Sequence, residues 1–224
     1  MDSFGDHALV CQCNGDRTVR HNALRNVVCA DATQGNMNPE REKQGLLPRR
    51  PGDDGVHGGE GHLDDAEGDQ TQEDHRQGRR PADVFLPRGV GGLPVALDFA
   101  CTSGLRADRL RLATENPELV VESYEAFKSD FKPLGEEHTT AVLCRQQGFR
   151  FTPMVIEAHS GGWGRTARQV LDSIAKQVSA SWNDLPEAAS LALAQRLSIT
   201  LHRENARAVL RRRRETAPPD DDTP

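Results

Sequence analysis

Arg79-Arg80-Pro81-Ala82-Asp83-Val84-Phe85-Leu86-Pro87, then Arg88-Gly89-Val90-Gly91-Gly92-Leu93, then Pro94-Val95-Ala96-Leu97-Asp98-Phe99-Ala100-Cys101 is the stretch that decides how this chain reads. Ala82–Pro87 and Pro94–Cys101 are rich in β-formers, and the glycines between them suit a turn, so the spacing predicts a β-hairpin. Asp98 stands in an otherwise apolar strand. A carboxylate there costs several kcal/mol unless a cation or a metal neutralises it. A hairpin would bring Asp83 and Asp98 together at one end. Two converging carboxylates repel, and a hard cation such as Mg²⁺ relieves the repulsion. The bland alternative makes Asp83 a turn residue and pairs Asp98 with an arginine.

Outward from the hairpin, the pattern is mixed α/β. Val19, Ala23, Val27 and Ala30 recur at helical spacing, predicting a helix from Asp16 to about Thr33. A second helical stretch runs from Asp108 to about Phe131, with a break at Pro117. Arg150–Ala158 reads as a strand. Trp163 to about Ala180 is amphipathic, with Val170, Ile174 and Val178 on one face. Asp184 to about Arg214 reads as a long last helix ending in Arg207, Arg211, Arg212, Arg213 and Arg214. This basic end could grip phosphates without reading sequence, act as a nuclear-localisation signal, or simply be a solvated terminus.

Charge and composition bound the function. The chain has 224 residues, 34 acids against 28 Lys and Arg, and a net charge of -6. Nine of the acids lie between Asp53 and Asp74, where no Lys or Arg occurs, and seven glycines lie between Gly52 and Gly78. Residues 51–78 therefore read as a long disordered acidic insert, and 215–224 as a disordered tail. Setting those nine acids aside leaves 25 against 28 basic residues, a mildly basic remainder compatible with DNA. No apolar run is long enough to span a bilayer, no secretory leader is visible, and five cysteines suit a reducing compartment. The expectation is an intracellular, nuclear protein without membrane contact.

The order of these motifs resembles a family. Arg80-Pro81-Ala82-Asp83, fourteen further residues, then Asp98 is similar to the signature of the restriction-like endonuclease domain of non-LTR retrotransposon polyproteins, a domain akin to the PD-(D/E)xK nucleases. Here Ala82 separates Pro81 from Asp83, and Ala100 stands where a lysine commonly follows the second acid. The resemblance implies that Asp83 and Asp98 hold Mg²⁺ and that a lysine from a following helix replaces the missing one: Lys128, with Lys132 in reserve. It implies an assisting acid from upstream, Glu40, with Glu42 second. Upstream, His7, Cys11 and the run Arg20-His21-Asn22-Ala23-Leu24-Arg25 resemble the Cys/His knuckle that precedes this domain. His7, Cys11 and His21, with Cys13 as substitute, would be the remnants of a degraded Zn²⁺ site. Phe149–Glu157 and Gly161-Gly162-Trp163-Gly164 are similar to the family's last strand and loop.

The implied organisation is a partial knuckle at 1–22, a first helix and strand at 16–50, the insert at 51–78, a nuclease-like core at 79–181 and a basic helix at 184–214. The implied fold is α/β, a restriction-endonuclease-like mixed sheet flanked by helices. The implied activity is Mg²⁺-dependent hydrolysis of a phosphodiester, nicking DNA, with element RNA as a second partner. Tyr124 is the only tyrosine, so no YxDD polymerase motif is present, and the chain reads as a fragment. Two alternatives remain open. One is a non-catalytic nucleic-acid-binding remnant. The other is an S-adenosylmethionine-dependent methyltransferase, taking Leu97–Gly104 as its loop and Glu118–Glu122 as its next strand, with Thr102 where that loop prefers glycine.

Overall fold

The computed structural model describes residues 15–48, 79–133 and 136–215. The acidic segment 51–78, the tail beyond 215, His7, Cys11 and Cys13 lie outside the described residues.

Four strands form one mixed sheet in the order β1 (Glu40–Arg41), β2 (Val84–Leu86), β3 (Val95–Thr102), β4 (Arg150–Glu157). The hairpin is present: Val84 pairs with Leu97 and Leu86 with Val95, antiparallel. A single 3₁₀ turn at Val90–Gly92 closes it, with Gly91 and Gly92 at positive φ, where a side chain would be strained. β4 runs parallel to β3 over eight residues, Val95 opposite Arg150 through Thr102 opposite Glu157. A parallel pair needs a long crossover, supplied by α2 (Leu110–Glu115), α3 (Pro117–Asp130) and α4 (Thr140–Gln146). The break at Pro117 falls as expected: Asn116 caps α3 by accepting from Glu118 N at 3.0 Å, and Pro117 takes the first helical position.

Helices cover both faces of the sheet. Val95, Leu97 and Phe99 alternate onto one face and pack against α1 (Asp16–Gln34), α5 (Arg165–Trp182) and α6 (Pro186–Glu215) through Val28, Ile174 and Leu197. Ala96, Phe85 and Phe151 turn to the other face and meet Leu143 and Cys144 of α4. The C-terminal helix is thus part of the core, since Leu193, Leu197 and Leu201 are fully buried. Cys29 and Cys144 act as small buried apolar groups, and burial pushes the Cys144 thiol up to about 12. Among the described residues, no helix is long and apolar enough to cross a membrane.

Two parts of the sequence reading are corrected. Glu118–Glu122 is not a strand; it lies inside α3, where Val120 and Val121 face the core at helical spacing. No period in the sequence announces α4, because its seven residues are too few to display one. It exists because Thr139 caps it, accepting from Val142 N at 3.4 Å, and because Leu143 and Cys144 are buried.

Candidate active site

β2 begins one residue after Asp83, and this fixes the site. Asp83 N donates to Leu97 O at 2.9 Å, the last rung of the hairpin. Beyond it β3 continues without β2 beside it. The Asp83 carboxylate takes over from the missing backbone and accepts from Phe99 N at 2.7 Å. Alternation along β3 turns Asp98 away from Leu97 and Phe99 and toward α3. There Lys128 Nζ lies 2.6 Å from Asp98 Oδ2, with both side chains about three-quarters or more removed from water.

His21 of α1 approaches from the opposite side, its Nε2 3.0 Å from Asp83 Oδ2. The ring also meets Phe99 edge-on, with centroids 6.2 Å apart. Asp83, Asp98, Lys128, His21, Glu42 and Arg80 all line one cavity of about 650 Å³.

The electrostatics of the two acids diverge. Burial raises Asp83, but the His21 hydrogen bond and charge, the Phe99 N–H and Arg80 outweigh it, and its carboxyl sits below the ordinary range. Burial also raises Asp98; Lys128 opposes this without cancelling it, the negative charge of Asp83 adds to it, and the carboxyl sits above the ordinary range. The hydrogen bond to Asp83 raises His21, against the opposing pull of burial.

The other expected residues fall differently. Glu40 is exposed on β1 and binds Lys43 at 2.8 Å, so it is not a cavity residue. Its reserve, Glu42, takes that place because the chain turns there at a positive φ of 54°, and Arg25 and Arg80 hold its carboxylate. His21 turns its ring nitrogens to Asn22 and Asp83, and its expected zinc-site companions His7 and Cys11 lie outside the described residues. Lys132 is exposed past the end of α3. Of the basic cluster, Arg211 and Arg212 fold back onto Asp16 at the start of α1, at 2.5 and 3.6 Å, and Arg212 is buried. Arg207 stays exposed and borders Glu204; the side chains of Arg213 and Arg214 lie outside the described residues.

Among the described residues, no three His, Cys, Asp or Glu side chains gather as a metal cage. The cavity instead offers two hard carboxylates, Asp98 on β3 and Asp83 one residue before β2. That suits Mg²⁺, which commonly binds one or two carboxylates and fills its other positions with water and phosphate. Half-buried Cys101 also lines the cavity, and burial pushes its thiol up, away from the reactive thiolate. In comparisons with known proteins, no family model and no curated sequence matches this chain.

Proposed function

We propose that this cavity hydrolyses phosphodiesters with Mg²⁺, as a restriction-endonuclease-like domain nicking DNA. The observation that carries the reading is the contact between Asp98 and Lys128, thirty residues apart, beside Asp83 in one cavity. Chance motifs scattered along a sequence have no reason to meet. A Mg²⁺ held by Asp83 and Asp98 would supply charge to the phosphodiester and lower the pKa of a water.

The side chains supply the rest. Lys128 neutralises Asp98 when no other cation is present. It is also within reach of a phosphate oxygen or attacking water in the same space, where a preset cation lowers the barrier. His21 and the Phe99 N–H hold one oxygen of Asp83, fixing its orientation. Arg25 and Arg80 restrain Glu42, the third acid of the cavity.

One feature favours the non-catalytic alternative. Each carboxylate already carries a protein partner, so the site is neutralised without metal. The test is nicking of negatively supercoiled plasmid in Mg²⁺ or Mn²⁺ by the wild type and Asp98→Asn. The reading expects relaxation by the wild type and a loss of at least a hundredfold in the variant. Equal rates, or no cleavage by the wild type, would overturn it.

A further inference from the structure

The chain is only 4% aromatic, yet three of its rings lie in a row beside the candidate site. Tyr124 and Phe127 on α3 stack with centroids 5.7 Å apart and planes at 28°; Phe131, just past the helix, follows at 6.3 Å. Phe127 is 55% exposed and Phe131 50%. Apolar rings are left in water at a cost, and a contiguous row of them marks a binding surface.

The row runs beside Lys128 of the site. Phe131 lines a second cavity of about 280 Å³, which shares Arg80, Asp98 and Lys128 with the larger one. Arg79 lines it too, so two arginines and a lysine, each paired with a carboxylate, edge this cavity. Glu136 and Glu42 anchor the two arginines in place. Flat π faces next to a cation-lined cavity match a nucleotide: the rings take the base and the cations take the phosphate. A base inside a continuous duplex is already stacked on its neighbours and has no free face to offer.

We infer that Phe127 and Phe131, backed by Tyr124, form a stacking platform for an unpaired nucleobase next to the reacting phosphodiester. The preferred substrate is then nucleic acid with an unpaired strand at the reaction point. This deepens the proposed function and rests on it only for where the reacting phosphate lies.

The test is fluorescence anisotropy in EDTA with labelled intact duplex, the same duplex carrying a short single-stranded gap, and the single strand alone. The wild type is expected to bind gapped DNA at least tenfold more tightly than intact duplex. Phe127→Ala with Phe131→Ala should lose that preference, by roughly 5- to 150-fold per stacked base, and leave duplex binding unchanged. Phe131→Trp should keep it. Equal affinity for all three DNAs, or a preference that survives the double variant, would overturn the inference. So would light scattering that shows a dimer dissolved by the double variant, since the rings would then serve a second copy of the chain. Plasmid nicking separates the two claims. Aromatic-dependent binding without Asp98-dependent nicking keeps the platform and sinks the nuclease; the converse sinks only the platform.

Discussion

At the residue scale, Asp83, just before β2, and Asp98, on β3, share a cavity and yet respond to pH in opposite directions. The carboxyl of Asp83 lies below 3.8, so its charged form adds stability above that pH, and the gain is lost as pH falls through the lowered value. His21 lies above 6.5, so its share is complete below 6.5 and is lost as pH rises through the raised value. The pair is therefore strongest between these limits. In EDTA, Asp83→Asn should be less stable than the wild type at pH 6, with a deficit that shrinks toward pH 9, as urea unfolding at each pH would reveal. Asp98 lies above 3.8, so its ionisation works against folding as pH rises. Asp98→Asn removes that cost but also takes the partner from Lys128, so at pH 7 its loss of stability should be smaller than that of Lys128→Met. Lys128→Met, which strands a buried charge, should lose on the order of 2 kcal/mol, less than a fully buried pair would. Equal losses in both would contradict this assignment. The acids were legible in the sequence because a carboxylate in an apolar strand is conspicuous. His21 as the partner of Asp83 was not, since sixty-two positions separate them and nothing local links them.

At the element scale, α3 joins the site to the rest of the fold. Lys128 on one side of it meets Asp98, and one turn earlier the buried Glu125 accepts from Thr166 N at 3.3 Å and Ala167 N at 3.1 Å, capping α5 from outside. The cap precedes α5 at Gly164, where an added Cβ would overlap the Glu125 carboxylate. Gly164→Ala should therefore cost about 1–3 kcal/mol by overpacking, seen as a lower urea midpoint with an unchanged slope. A neutral outcome would mean that α3 and α5 are not coupled there. The long elements were readable because period and length reinforce each other: α1, α5, α6, β3 and β4 each end within about two residues of expectation. The seven-residue α4 carries too little pattern to be seen, and the strand implied within 16–50 is only the two-residue β1; they form because the second core and the sheet edge receive them. Glu40 and Glu42 are indistinguishable in the sequence for the same reason. Two acids in a short polar run look alike until the turn at Glu42 decides which one faces the cavity.

At the scale of the whole molecule, two distant segments are clamped together. Leu47 and Arg79 exchange backbone hydrogen bonds of 3.1 and 3.0 Å, and Glu40 pairs with Phe85, so the chain leaves and rejoins the sheet at one point. The acidic segment between them does not keep Glu42 from the cavity. Replacing 51–78 with a short Gly/Ser linker should leave the fold intact and add on the order of 1 kcal/mol through cheaper loop closure. Loss of a cooperative thermal transition would contradict that. The C-terminal basic helix was legible as a helix, but its packing against α1 through Asp16 was not, because charge patterning alone does not say which arginines are spent inside the protein.

In the proposed function, Asp83 and Asp98 together bind a divalent cation in the cavity they share with Lys128. Calorimetric titration of Mn²⁺ into the metal-free protein tests it without relying on catalysis. One bound Mn²⁺ in the wild type, lost in both Asp83→Asn and Asp98→Asn, is the predicted result. Unchanged binding in either variant, or no binding by the wild type, would contradict it.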